Sequence, residues 1–299
     1  MIGPGPQVRQ AAAPLLAVGR LGVFTDIDGT ISPIAPTPDA ARIDPDCRAA
    51  LERLIGLATR VVAVSGRSAA NAQAMLGLEH MRYVGNHGLE WWADGQTMPA
   101  PTALPYVAAV ADALAELASH PLPDGVLIEN KGVTASVHYR LSSEPEHAAA
   151  LLGTLLAGIC ERTGLRLHPG RMIFELRPPL DLNKGSALAD ALRQDELEGA
   201  IFLGDDTTDV DGFLTMHYAR AAGLRTLAVG VLSAETPPAV RETCDVLVPG
   251  VAGVAALLGW LAEERARSQE SEVRSQESED GMPDVGCRMS DVRRRDAGC

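Results

Sequence analysis

Nine consecutive residues, Val23-Phe24-Thr25-Asp26-Ile27-Asp28-Gly29-Thr30-Ile31, constrain this chain more than any other stretch. An apolar run stops at two carboxylates with one residue between them, and Gly-Thr follows at once. Side chains alternate along a strand, so Asp26 and Asp28 leave its end on one side, where a shared cation or phosphate could sit. Gly29 then lets the backbone turn sharply. Taken alone, the same residues also fit a strand that closes in an ordinary Asp-Gly turn.

The chain of 299 residues, 46% hydrophobic and 22% charged, is long enough to bury a core in one large or two modest domains. Its formal charge of −13 offers no basic stripe for nucleic acid or an anionic membrane surface. A small anionic substrate would therefore need a metal and individual Lys or Arg residues. Cys47, Cys160, Cys244, Cys287 and Cys299 are odd in number and lack C-x-x-C spacing, which fits a reducing, cytoplasmic setting without a disulfide or zinc framework. Residues 1–20 read as an irregular lead-in, because Pro14 interrupts their short apolar piece and no targeting signal stands out. The longest apolar stretch elsewhere, Val251 to Ala262, is twelve residues, too short to span a bilayer.

After the opening motif, β-branched runs alternate with Ala/Leu-rich helical runs, the pattern of βαβ units around a parallel sheet. Pro45 to Ala58 has helical spacing, and Arg60 to Val64 reads as a buried strand ending in Ser65-Gly66-Arg67. Ser65 lies where open α/β sheets bind ligands, although a helix N-cap explains it equally well. Met81 to Gly85 reads as another strand, followed by Asn86-His87-Gly88. From about Pro99 the rhythm changes. Two helices, Ala103 to Ala118 and Glu144 to Arg162, accompany four short strands within 125–177, which predicts an α+β cap inserted over 99–177. The core would then be 21–98 and 178–265. A cap over the strand ends would exclude water and read the part of a substrate remote from its phosphate.

Asp181-Leu182-Asn183-Lys184-Gly185-Ser186 precedes a helix, and a Lys beside a helix N-terminus is electrostatically unfavourable without a compensating anion. A carboxylate with a phosphate would supply one. Further on, Ala200-Ile201-Phe202-Leu203 delivers Gly204-Asp205-Asp206-Thr207-Thr208-Asp209, and Asp211 makes four acids within seven residues. Such carboxylates repel one another unless they share a cation, and hard oxygen donors with open positions suit Mg2+.

The D-x-D-G-T spelling resembles the first signature of the haloacid dehalogenase-like phosphotransferases. That likeness implies an α/β, Rossmann-like core with a parallel sheet. It also implies that Asp26 attacks phosphorus, that Asp28 is the general acid and base, and that Thr30 bonds a phosphate oxygen or holds the turn. Ser65 matches the second motif and, with Gly66, would bind the phosphoryl group. Lys184 matches the third. Asp205 would ligate Mg2+ with Asp26 and the Asp28 carbonyl, and Asp206 and Asp209 would act as ligand, supporting shell or brace for Lys184.

Within that superfamily, Gly85-Asn86-His87-Gly88-Leu89-Glu90 resembles the G-N-H-G-x-E segment of the trehalose-6-phosphate phosphatases. Glu129-Asn130-Lys131, Val137-His138-Tyr139-Arg140 and Glu175 with Arg177 fall where that family has E-x-K, V-x-H-Y-R and E-x-R-P. The resemblance implies substrate contact by Asn86 and His87, a distal glucose held by Glu129, Lys131 and Glu175, and a lesser part for Arg140. It covers about 21–261. Val210 stands where the family's fourth motif usually has Glu, with Asp211 one place later. The activity implied is Mg2+-dependent hydrolysis of trehalose 6-phosphate by a cytoplasmic monomer fed by a separate trehalose-6-phosphate synthase. A phosphatase for sucrose phosphate, a mannosyl phosphoglycerate or a hexose phosphate is the alternative, and a non-catalytic sugar-phosphate sensor is a third.

Beyond about Arg265, Arg267-Ser268-Gln269-Glu270-Ser271-Glu272-Val273 is followed by the near-copy Arg274 to Asp280. The repeat lacks an apolar a/d pair, so a coiled coil is excluded, and its composition predicts a disordered tail over 266–299.

Overall fold

A computed structural model describes the backbone of residues 3–280 and the side chains of residues 3–270. Helix α1 (Pro6–Ala12) and a 3-10 turn (Ala13–Ala17) lead into β1 (Leu21–Thr25), α2 (Pro45–Ile55), β2 (Arg60–Val64) and α3 (Ala69–Leu76). Strands β3 (Arg82–Gly85), β4 (Glu90–Ala93) and β5 (Gln96–Pro99) come next, then α4 (Tyr106–Ala118), β6 (Leu127–Asn130) and β7 (Ala135–His138). The chain continues through α5 (Pro145–Thr163), β8 (Arg166–Gly170), β9 (Ile173–Arg177), α6 (Lys184–Gln194), β10 (Gly199–Gly204) and α7 (Val210–Ala221). It closes with β11 (Arg225–Leu232), α8 (Pro238–Thr243), β12 (Val246–Pro249) and α9 (Gly250–Asp280).

The main sheet runs β12-β11-β10-β1-β2-β3-β4-β5, parallel as far as β3 and antiparallel thereafter. Both faces are covered, so its central strands read as continuous apolar runs rather than alternating ones. One face sends Val23, Val61, Ile201 and Val229 under α2 and α9; the other sends Phe24, Val62, Phe202 and Ala228 under α6 and α7. At roughly 25 cal/mol for each Å² of apolar surface removed from water, these two clusters dominate the stability of the core.

A second sheet, β6-β7-β9-β8, is wholly antiparallel and carries α4 and α5 on one face. Its strands alternate: Ala135, Val137 and Leu176 enter the helical core, whereas Ser136, His138, Glu175 and Arg177 point the other way. Cross-strand register places Glu129 opposite Ser136, Ser136 opposite Glu175, and Glu175 opposite His168. A row of polar residues therefore crosses the sheet on the face opposite its helices.

Two segments differ from the sequence-based expectation. The expected irregular lead-in is ordered from Pro6 onward: Pro6 starts a helix, and Val8, Ala12, Leu15 and Val18 are buried in the core. Pro14 interrupts nothing, because it opens the 3-10 turn, where it needs no N–H partner. The tail is likewise not disordered from residue 266, since α9 continues to Asp280. Extending an existing helix is far cheaper than nucleating one, Glu, Gln and Arg are good helix formers, and Arg267 pairs with Glu263 and Glu264. The remainder of that segment, residues 281–299, lies outside the described residues. Among the described residues no helix is long and apolar enough to cross a membrane, and Cys47, Cys160 and Cys244 are free thiols.

Leu15, which is 1% exposed, should therefore matter to stability. Leu15→Ala is expected to cost about 2–5 kcal/mol in urea denaturation. An unchanged midpoint would mean that residues 1–20 do not belong to the core.

Candidate active site

Strands β1, β2 and β10 are adjacent and parallel, so whatever follows them emerges at one edge of the sheet. Asp26 follows β1, and its backbone N–H donates to Leu203 O on β10 at 2.9 Å. Asp205 follows β10 and Ser65 follows β2. This is the crevice where the chain's strand order reverses. Gly29 has φ +86°, and a Cβ there would stand 2.0 Å from Asp205 Oδ2, so only glycine lets the turn after Asp28 close over that carboxylate.

Lys184 is the first residue of α6, whose start is fixed by a reciprocal cap between Asn183 and Ser186. Its Nζ donates to Asp26 Oδ1 at 2.8 Å and to Asp209 Oδ1 at 2.6 Å, and all three residues are buried. These two carboxylates supply the compensation that a lysine at a helix N-terminus requires. Burial opposes the ammonium, but Asp209 and Asp26 outweigh it and raise the pKa. Asp209 is engaged on its other oxygen too, which accepts the N–H groups of Asp205 and Asp206 at 3.0 Å each.

Asp26, Asp205 and Asp209 each place a carboxylate oxygen within 4.8 Å of the others. Burial, followed by neighbouring acids, pushes Asp205 up to about 9 and, despite Lys184, Asp26 up to about 7. Ionised together, three carboxylates against one ammonium would leave two negative charges in a buried place; the raised pKa values reflect that cost, and a divalent cation with hard oxygen preference would offset it. Because Asp209 already accepts from Lys184 and from two backbone N–H groups, Asp26 and Asp205 are the carboxylates with the most lone pairs to spare. Asp206 lies apart on the rim, 3.6 Å from Arg171. Thr30 is fully buried behind the site, with its Oγ1 3.4 Å from Asp205 Oδ1.

The polar face of the second sheet forms the roof of the same cavity, which has a volume of about 630 Å³. Asp26, Asp28, Ser65, Gly66, Lys184 and Asp205 line its floor. Glu129, Lys131, Arg140, Glu175 and the previously unassigned His138, His168 and Arg177 line the roof. Lys131 donates to Gly66 O at 2.9 Å and stands 3.6 Å from Glu175 and 3.8 Å from Glu129. Arg140 donates to the carbonyl of Arg171, which itself crosses to Glu235 at 3.0 Å.

Asn86 and His87 share a left-handed backbone (φ 49° and 57°) but have different roles. Asn86 does not face the cavity: it accepts from Thr134 Oγ1 at 2.5 Å and donates to Lys131 O at 3.1 Å, joining the two sheets. His87 does line the cavity, with Nε2 3.4 Å from Glu175. A side chain at residue 66 would place its Cβ 2.5 Å from His87 Nε2, so Gly66 makes room for the ring. Arg67 was missed as a site residue. It also lines the cavity and grips Asp28 through Nε at 2.6 Å and Nη2 at 2.7 Å. Val210 packs against the Phe202 cluster, and Asp211 feels the charge of Arg177.

Burial lowers His87 to about 4, against the opposing pull of Glu175. At neutral pH the ring is uncharged, and its hydrogen bond to Glu175, with the charges of Lys131 and Arg177, holds that buried carboxyl well below its usual range. A base with a depressed folded pKa contributes stability that is complete above its unfolded value near 6.5 and is lost as pH falls towards 4. His87→Asn should flatten the loss of urea stability between about pH 6.5 and pH 4, by at most about 3 kcal/mol. Parallel pH profiles for the two proteins would contradict the buried, neutral ring.

A sequence model of the trehalose-phosphatase family matches residues 24–237, well over half the chain. The trehalose-phosphate phosphatase of Mycobacterium avium is 36% identical over 217 residues, 69% of this chain and 54% of that protein. That of Mycobacterium tuberculosis is 37% identical over 208 residues, 66% of this chain and 52% of its own length. The chain thus spans about half the length of the curated relatives it matches. Among solved structures, the C-terminal domain of Candida albicans trehalose-6-phosphate phosphatase superposes with a TM-score of 0.69 at 20% identity, covering 88% of this chain and 98% of that domain. A trehalose-6-phosphate phosphatase related protein gives 0.68 at 22%, covering 83% and 99%. These two share the fold, including the mostly parallel α/β sheet. With the opening motif, the buried lysine and the acid cluster lying inside the matched segment, this chain belongs to the trehalose-phosphatase family.

Proposed function

We propose that this chain hydrolyses trehalose 6-phosphate to trehalose and inorganic phosphate through a phospho-aspartyl intermediate on Asp26. One observation carries the reading: a buried carboxylate held 2.8 Å from a buried lysine forms the floor of a cavity whose roof is a row of polar groups able to bond sugar hydroxyls. The floor handles the phosphate and the roof reads the hydroxyls. The relatives named above are trehalose-phosphate phosphatases, and the substrate is carried over from them.

Mg2+ fits the donor set; Asp26, Asp205 and the backbone carbonyl of Asp28 would hold it, and when bound it would neutralise charge on the phosphate oxygens. The residues do the rest. An oxygen of Asp26 forms a bond to phosphorus as the bond from phosphorus to the sugar oxygen breaks, and the departing oxygen takes a proton from Asp28. Water then attacks phosphorus, gives its proton to Asp28, and releases phosphate from Asp26. Lys184 and Ser65 steady the transferring oxygens, and Lys184 stays in place because Asp209 grips it from behind. Glu129, Lys131 and Glu175 hold the distal glucose, with Arg140 and His87 beside them. The mass of the cap, taken as 99–177, excludes water while it is closed. The substrate would come from a separate trehalose-6-phosphate synthase, and the reading is of a cytoplasmic monomer.

Phosphate release from trehalose 6-phosphate, sucrose 6-phosphate, mannosyl phosphoglycerate and glucose 6-phosphate, with Mg2+ or with EDTA, tests the proposal. Turnover should be greatest on trehalose 6-phosphate, should vanish with EDTA and should return with added Mg2+. Asp26→Asn should abolish it while the urea midpoint is preserved. Preference for another sugar phosphate would remove the substrate, and turnover by the Asp26 variant would remove the nucleophile.

A further inference from the structure

We propose that Arg67 is the positioning residue for Asp28, fixing the carboxylate in the orientation from which it serves the leaving oxygen. The inference deepens the reading above, in that it rests on Asp28 being the group that handles that proton.

Asp28 sits on a turn, and its side chain is 34% exposed to the cavity. Nothing in its own loop holds its side chain. Arg67 is the opposite case, with a side chain only 9% exposed and anchored throughout. Its backbone N–H donates to Ser65 Oγ at 3.2 Å, and its carbonyl accepts from Asn86 N–H at 2.8 Å. Its Nη1 donates to Asn71 Oδ1 at 2.8 Å, and Nη2 donates to Pro38 O at 3.1 Å as well as to Asp28. The fork is thus set before Asp28 meets it, and the carboxylate is the partner being oriented.

The fork meets both oxygens, Nε on Oδ2 and Nη2 on Oδ1, which fixes the carboxylate plane as well as its position. A lysine, as a single point charge, could not fix that plane. A carboxylate offers about four lone-pair sites, and the fork uses two, so Asp28 keeps a free site for the proton that it passes to the leaving oxygen. Both residues line the cavity, which sets the pair apart from a salt bridge that only joins two elements.

Leaving-group dependence separates positioning from structure. p-Nitrophenyl phosphate releases an anion that departs without a proton, whereas a sugar oxygen needs one. With trehalose 6-phosphate, Arg67→Ala should lower the single-turnover rate of trehalose release roughly 100-fold or more, with little change in KM. With p-nitrophenyl phosphate the single-turnover release of nitrophenol should fall by no more than about tenfold, since that step needs no proton, while the later water attack, which uses Asp28 as base, slows equally for both. Free guanidinium should restore part of the sugar-phosphate activity to Arg67→Ala, and Arg67→Lys should not recover it. Arg67→Gln, closer in size, serves if the alanine variant fails to fold by circular dichroism. Equal losses of leaving-group release on both substrates, or full activity in Arg67→Lys, would overturn the inference. Asp28→Asn, assayed in parallel, keeps the two layers apart. If it too slows leaving-group release equally on both substrates, the acid assignment falls; if it discriminates while the Arg67 variants do not, only the role of Arg67 falls.

Discussion

Everything in this site leans on one buried ion pair and its brace, Lys184 between Asp26 and Asp209. An ammonium taken out of water is stable only with partners that cannot turn away. Asp209 meets that need because the N–H groups of Asp205 and Asp206 hold its other oxygen. The lysine is therefore fixed from behind, with one donor left over at the cavity that it lines. The same grouping leaves Asp26 and Asp205 buried beside other acids, and burial first, then that crowding, raises their pKa values. Under the proposed function, a cation would offset the acids and a phosphate would meet the lysine.

The second sheet solves a different problem by simpler means. Strand alternation divides its residues between a helical core and a polar face, and antiparallel register lines up Glu129, Ser136, Glu175 and His168 across neighbouring strands. Contacts from that face reach the core on two sides of the cavity. Asn86 ties the loop of Lys131 to the loop after β3, and Arg171 reaches Glu235 and Asp206 opposite. The polar groups over the cavity and the contacts that join this sheet to the core thus come from the same short strands and the loops beside them.

The floor was legible in the chain because its acids follow β-branched runs directly, and in a parallel sheet such runs end on one edge. The same logic located Ser65, and the dipole argument called for an anion beside Lys184. Other features left weaker marks. The β4–β5 hairpin escaped notice although Asp94-Gly95, both at positive φ, is a well-formed two-residue hairpin turn. The parity that sends His138 and Arg177 to the polar face was present in Ala135, Val137 and Leu176, yet it becomes decisive only once the helices on the other face are known. Arg67 and Asp28 stand 39 residues apart, and no periodicity marks a fork that far away. Asn86 looked like a ligand by its motif and is instead fully committed between the two sheets.

Under the proposed function, Asp26 becomes covalently phosphorylated during turnover. Acid-quenching the protein during steady-state turnover of trehalose 6-phosphate, reducing with borohydride and sequencing the peptides by mass spectrometry would read this directly. Homoserine at residue 26 is the expected result, since the acyl phosphate is reduced to the alcohol. Homoserine at another acid, or none at any residue while phosphate is being released, would contradict the account.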